Sequence, residues 1–181
     1  MLAPAIVVGS GRSVWADLRA VRPVIEAPVV FAVNYMTFLL PTIHHAVTHH
    51  GDQLAAMLAL RANRRRRNEP RTFVTHASEG GPGIDRVWPQ FRRQYRGSSS
   101  LLAVQIALAL GHREVIVVGV PLDNRGYVWE EPTDIIPTDY APYRRGWQQA
   151  AGEFAGRVTA VSGYLADLLG RPAALRVEVA A

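Results

Sequence analysis

The sequence contains no cysteine. That excludes a disulfide framework, a thiolate metal site and thiol nucleophile chemistry, and leaves the compartment undetermined. It also contains no lysine, so all 20 basic residues are arginine. Schiff-base chemistry and a Walker-type phosphate loop both need a lysine and are excluded with it. No apolar run reaches the roughly 20 residues that a membrane span requires. The best candidate, Leu101–Leu110, is only helix-length and contains Gln105. The amino terminus shows neither the basic start nor the cleavage site of a signal peptide. A cytoplasmic protein without a membrane span is expected.

What is present is globular. The chain has 181 residues, 49% hydrophobic and 19% charged. That length suits one domain that buries roughly two-thirds of its unfolded surface. A net charge of +5 and a pI near 10.2 predict attraction to anions. The run Arg64-Arg65-Arg66-Arg67 could touch nucleic acid or acidic membranes; a solvated helix end or loop is the competing reading, and the lack of interleaved aromatics weakens the nucleic-acid case. Oligomerisation is left open.

Short apolar runs alternate with helical patterns, the signature of βαβ units and a parallel sheet. Strands are expected at Ala5–Val8, Pro28–Val33, His45–His49, Arg71–His76, Val115–Val118 and Arg157–Val161. Helices are expected after Ser13, from Gln53 to about Arg61 behind an Asp52 cap, from Ser99 or Ser100 to Gly111, from Pro142 to Phe154, and after Ser162. Residues 77–97, with four glycines and two prolines, read as a loop. The expected architecture is a single Rossmann-like α/β domain over residues 1–172, a mostly parallel sheet flanked by helices. Residues 120–142 form a long loop or lid in this reading, and 173–181 a tail.

Several segments carry candidate chemistry. Gly9-Ser10-Gly11-Arg12-Ser13 joins the first strand to the first helix. Its glycines admit a ligand close to the backbone, and a helix amino terminus offers free N–H groups to a phosphate; a plain tight turn is the competing reading. Asn34 ends the second strand, where ligands of open parallel sheets bind. Gly97-Ser98-Ser99-Ser100 opens a second helix with hydroxyls that suit a phosphate or ribose. Asp123 follows the Val115–Val118 strand and is a candidate base, metal ligand or ribose anchor. Alternation along a strand separates His45 and His49 from His44 and His50, which argues against one metal site gathering all four. His76, at a strand end, is the better acid–base candidate, and His112 follows a helix end. Tyr140, Tyr143, Arg144 and Arg145 close the long loop with phenols and guanidinium forks suited to phosphate.

Two stretches together resemble a known group. They are Ala5–Ser13 with Phe31-Ala32-Val33-Asn34, and Gly97–Ser100 continuing through Ala103–Val118 to Gly119-Val120-Pro121-Leu122-Asp123. Their order is similar to that of the bacterial lipooligosaccharide sialyltransferases, and equally to the archaeal 6-hydroxymethylpterin pyrophosphokinase group. The chain looks like a small relative, of the kind found in phage genomes. The resemblance covers about half of the chain. It implies that Gly9, Ser10, Gly11, Ser13, Asn34, Ser98, Ser99 and Ser100 contact a nucleotide. Tyr140 and Tyr143 resemble the paired tyrosines that hold the leaving phosphate. Two departures stand out. No histidine follows His112 to serve as the base that the sialyltransferases place there, and the Gly-x-Asp strand end is lengthened by two residues.

Three functions follow. The first is transfer of a sugar from a nucleotide donor of the CMP type, with no cofactor required and with Asp123 or His76 as base. The second is a magnesium-dependent pyrophosphokinase with Asp52 or Asp123 as ligands. The third is a degenerate binding or assembly module.

Overall fold

The fold is seen in a computed structural model that describes residues 2–64, 71–91, 98–123, 125–130, 139–154 and 156–175. The expected features at Arg65–Arg67, Gly97 and Asn124, and most of the tail, lie outside these residues.

Seven parallel strands form one sheet: β1 (Ala5–Val8), β2 (Val29–Val33), β3 (His45–Thr48), β4 (Val74–Ala77), β5 (Arg86–Val87), β6 (Val115–Val118) and β7 (Val158–Ala160). Their order is β5-β4-β3-β2-β1-β6-β7. The chain steps outward from β1 to β5, then returns across the sheet to place β6 on the other side of β1. The reversal makes the carboxyl ends of β1 and β6 the topological switch point, where open α/β sheets bind ligands.

The central strands are apolar throughout because both faces are covered. One face packs Val7, Phe31, Val33, Val47, Val115 and Val117 under α4 (Ser99–Ala109), α5 (Ala141–Phe154) and α6 (Gly163–Leu169). The other buries Ile6, Val8, Ala32, Ile116 and Val118 beneath α1 (Val14–Val21) and α2 (Met36–Leu39), which in turn meets α3 (Gly51–Arg64). Helix α4 is buried from Ser99 to Ala107 and carries apolar residues all round, as a helix does when it lies inside a core. It is the long crossover from the sheet edge to β6, and its amino end lies at the carboxyl side of the sheet. Among the described residues, no helix is long and apolar enough to cross a membrane.

Three local expectations are corrected. Residues 77–97 are not all loop, since they contain β5 and a short 3-10 turn at Pro89–Phe91. Asp52 does not cap α3; the helix already begins at Gly51, and Asp52 is exposed in its first turn. Ser13 does not cap α1 through its side chain, because its hydroxyl turns to Asp17.

Asp17 is the polar centre of the switch point. Its carboxylate is 4% exposed and its Oδ2 accepts from Ser13 Oγ at 3.0 Å, Gly119 N–H at 2.8 Å and Ser162 Oγ at 2.8 Å. One side chain on α1 therefore ties together the ends of β6 and β7. Asp17→Ala would leave the Gly119 N–H without its acceptor and the part-buried Ser13 and Ser162 hydroxyls with only each other. Such groups cost about 1–3 kcal/mol each. We expect a loss of roughly 3 kcal/mol and a Tm lowered by about 6–12 °C. Calorimetry checks this, and Asp17→Asn should lose less.

Candidate functional site

The turns after β1 and β6 press against each other. A Cβ on Gly9 would lie 2.5 Å from Val120 Cγ2, and one on Gly119 would lie 2.4 Å from the Gly9 carbonyl oxygen. Gly119 also has a φ of +65°, which a side chain resists. The glycines thus bring two backbones together at the switch point and leave N–H groups and carbonyls as the local surface. Segment 126–130 is fastened above them. Gly11 bridges to Tyr127, Arg12 N donates to Gly126 O at 3.2 Å, and Val128 N donates to Ser10 O at 2.9 Å.

A cavity of about 370 Å³ opens at this point. That is the size of a small-ligand site. Its floor is the two turns, with Gly9, Ser10 and Gly11 on one side and Gly119 to Asp123 on the other. Asn34, the amino end of α4 at Ser98 to Ser100, and Tyr127, Tyr140 and Tyr143 complete its lining. Asn34 has a left-handed φ of 50°, a conformation asparagine tolerates better than most residues. Ser98 precedes α4 in an extended conformation and makes no side-chain cap. Its Oγ instead pairs with Ser100 Oγ at 2.5 Å. Hydroxyls and the positive end of an 11-residue helix therefore meet at one wall.

Not every candidate joins this site. Arg12 donates from Nη2 to the Glu130 carbonyl at 2.8 Å and does not line the cavity. Ser13 is turned inward to Asp17. Asp52 stands exposed on α3, away from the cavity. Arg144 donates from Nε at 3.1 Å and Nη2 at 2.6 Å to the carbonyl of Leu122, and lies over the Tyr164 ring. Leu122 carries a φ of 51°, a strained conformation for a branched side chain, so Arg144 serves to hold that turn. Asp123 does line the cavity, and its carboxylate is held by Arg125 Nε at 2.7 Å.

His76 is excluded as the site's acid or base by its position. It is fully buried, and both ring nitrogens are occupied. Trp88 Nε1, which can only donate, gives its hydrogen to His76 Nδ1 at 3.0 Å. His76 Nε2 must then carry the proton and donate to His45 Nδ1 at 2.9 Å. His45 stacks on Phe31, with ring centroids 4.2 Å apart. This relay has no signal in the sequence, because it depends on adjacent strands sharing a face.

The histidines that reach the cavity are His49 and His50, just past β3. His49 is half-buried. Its backbone N–H donates to Ser99 Oγ at 3.1 Å, and its Nδ1 pairs with the buried Ser78 Oγ at 2.9 Å. Burial, and secondarily the neighbouring His50, push its pKa down against a weaker pull from Glu79. Its imidazole is therefore neutral near pH 7. Burial also raises the Tyr127 phenol, aided by Tyr140, Tyr143 and Glu130. Among the described residues, no three His, Asp or Glu side chains converge as a metal site.

No protein-family model matches the chain, and no curated protein matches it in sequence. Solved structures do match in fold. The sialyltransferase CstII from Campylobacter jejuni, in complex with the substrate analogue CMP-3FNeuAc, has a TM-score of 0.64 at 14% identity, over 94% of this chain and 86% of that one. A tyrosine-to-phenylalanine variant of sialyltransferase Cst-II in complex with CMP gives 0.60 at 12% identity, over 92% and 85%. At these identities the likeness is one of fold: a single parallel α/β sheet flanked by helices. These neighbours lend no support to a pyrophosphokinase or to a phage origin.

The buried relay has a pH consequence. His45 and His76 both have pKa values lowered from 6.5 to about 4, chiefly by burial, then by neighbouring histidines and Arg86. The unfolded chain therefore binds more protons between these values. Their contribution to stability is complete above pH 6.5 and is lost as pH falls toward 4. Tm should be level above pH 7 and fall already between pH 6.5 and 5, before carboxylates titrate. Replacing both rings, as His45→Phe with His76→Leu, should flatten that interval in a thermal-melt series.

Proposed function

We propose that this protein binds a nucleotide-activated sugar in the cavity between the β1 and β6 turns and transfers the sugar to an acceptor hydroxyl. The observation that carries the reading is the convergence on one cavity of the Gly9–Gly11 turn, Asn34 and the Ser98–Ser100 helix start. The two fold neighbours, solved in complex with CMP or a CMP-sugar analogue, favour a cytidine nucleotide.

In such a transfer the bond from the sugar's anomeric carbon to the phosphate oxygen breaks, and negative charge grows on the departing nucleotide. The α4 amino end, the serine hydroxyls and the phenols of Tyr140 and Tyr143 are the groups positioned to receive it. No lysine or arginine is needed for that role. Asn34 offers an amide to the base or sugar edge. The acceptor hydroxyl must lose a proton, and Asp123, His49 and His50 are the carboxylate and imidazoles lining the cavity that can take one. His49 is neutral and oriented by Ser78, which suits a base. It takes the place of the histidine that the resemblance put after His112 and that this sequence lacks.

A thermal-shift panel of CMP, CDP, UDP, GDP, ADP and ATP, with and without magnesium, tests the reading. CMP at about 100 times its dissociation constant should add roughly 2.7 kcal/mol. That corresponds to a Tm rise of about 5–11 °C, unchanged by chelation. A shift with ATP alone that requires magnesium would move the assignment to phosphoryl transfer, and no shift with any nucleotide would defeat it.

A second test separates binding from chemistry. Tyr143 is 37% exposed, so Tyr143→Phe should leave the Tm of the free protein unchanged. If its phenol stabilises the leaving phosphate, kcat falls by roughly 10²-fold while KM changes little.

A further inference from the structure

Five aromatic side chains among the described residues are at least 36% exposed: Trp15, Tyr35, Tyr127, Trp129 and Tyr143. Four of them gather at the cavity. Tyr127 and Tyr143 line it. Trp129 stacks on Tyr127, with centroids 5.0 Å apart and planes 7° from parallel. Tyr35, next to the cavity residue Asn34, meets Trp129 edge-on at 5.1 Å. The result is a row of rings leading out of the cavity, with Tyr35 41% and Trp129 46% exposed.

This row is held in place. The backbone of 126–130 is bonded to the Gly9–Arg12 turn, Tyr127 N–H donates to Glu130 Oε2 at 2.5 Å, and Arg12 clamps the Glu130 carbonyl. The rings therefore present a preformed face. Beside it stands the Asp123–Arg125 ion pair, whose arginine side chain is 62% exposed.

We propose that the Tyr127–Trp129–Tyr35 row is the acceptor subsite and that it takes a neutral saccharide. A pyranose has a face of axial C–H bonds that lies flat on indole and phenol rings, and a rim of hydroxyls that a carboxylate and a guanidinium can hold. A saccharide stacked there would extend one hydroxyl toward the cavity, where the donor's anomeric carbon would lie. A single-stranded nucleic acid also stacks on aromatic rings, but it needs a cationic groove. Here the Arg125 guanidinium is paired with the Asp123 carboxylate, Arg12 is turned to the Glu130 carbonyl, and the Glu130 carboxylate sits in the same segment against Tyr127 N–H. The proposal rests on the glycosyl-transfer reading for its place in the reaction, not for the binding it asserts.

Ligand-observed saturation-transfer NMR on the full chain is the test, with lactose, maltose and cellobiose as probes and oligo-dT as the competing class. CMP thermal shift runs in parallel. Wild type should bind at least one disaccharide. Trp129→Ala and Tyr35→Ala should weaken it about tenfold or more, while Trp129→Phe retains most of it. The CMP shift should be the same in all four proteins. If no disaccharide binds while CMP still shifts the melt, or if binding survives both alanine variants, the subsite is wrong and the donor reading stands. If disaccharides bind through Trp129 but no nucleotide shifts the melt, the subsite stands and the donor reading falls. Binding of oligo-dT in preference to every saccharide overturns the proposal.

Discussion

The site depends on two backbone turns coming closer than any side chain would allow. A Cβ on Gly11 would meet Pro121 Cδ at 2.5 Å, and one on Gly163 would meet Pro121 Cα at 2.6 Å. Gly9, Gly11, Gly119 and Gly163 thus form a small knot around residues 119–121. Close contact of this kind brings polar backbone together, and those groups need partners. Asp17 supplies one for Gly119 and, through Ser162, secures the start of α6. The cavity floor is rigid because packing leaves no alternative and because a buried carboxylate takes up the remaining hydrogen bonds.

The same economy explains the arginines. With no lysine, a phosphate-binding protein would be expected to use guanidinium groups on its ligand. Several here are spent on the protein's own carbonyls. Arg12 holds Glu130 and Arg144 holds Leu122. Arg61, 6% exposed, closes the carboxyl end of α2 through the carbonyls of Thr37, Leu40 and Pro41. A planar fork with five donors suits carbonyls as well as phosphates. The side chains lining the cavity bring hydroxyls, imidazoles, an amide and one carboxylate, and a helix dipole points into it.

The sequence made the fold legible where apolar runs were bounded by glycine or serine. β1, β2, β6 and α4 were readable because strands buried on both faces and an internal helix carry continuous apolar residues. β5 was not readable, because two exposed residues, Arg86 and Val87, have no periodicity to show. Of the candidate site, the glycine turn, Asn34, the three serines, Asp123 and the two tyrosines come together around one cavity. Arg12, Ser13, Arg144 and His76 were misplaced for a common reason. Chain position put each beside the site, but side-chain direction was decided by a hydrogen-bond partner: Glu130 for Arg12, Asp17 and Ser162 for Ser13, Leu122 for Arg144 and Trp88 for His76. His49 and His50 had a faint signal, since a strand that ends at Thr48 places its next residues at the carboxyl edge of the sheet.

The two kinds of lining in the cavity differ in what they ask of a ligand. The lining supplied by the turns, Asn34 and the start of α4 is built from backbone and short polar side chains, so it fixes a ligand through direction and charge. The aromatic lining, continued outward by Trp129 and Tyr35, accepts a ligand through surface. A transfer reaction needs both properties at once: a tightly oriented leaving group and an acceptor that can arrive and depart. The long crossover makes this arrangement available. By returning from the sheet edge to β6, it brings the amino end of α4 beside β3 and leaves segment 126–130, just beyond β6, free to lie across the β1 turn. The topology that creates the switch point therefore also brings the polar and the aromatic lining to one cavity.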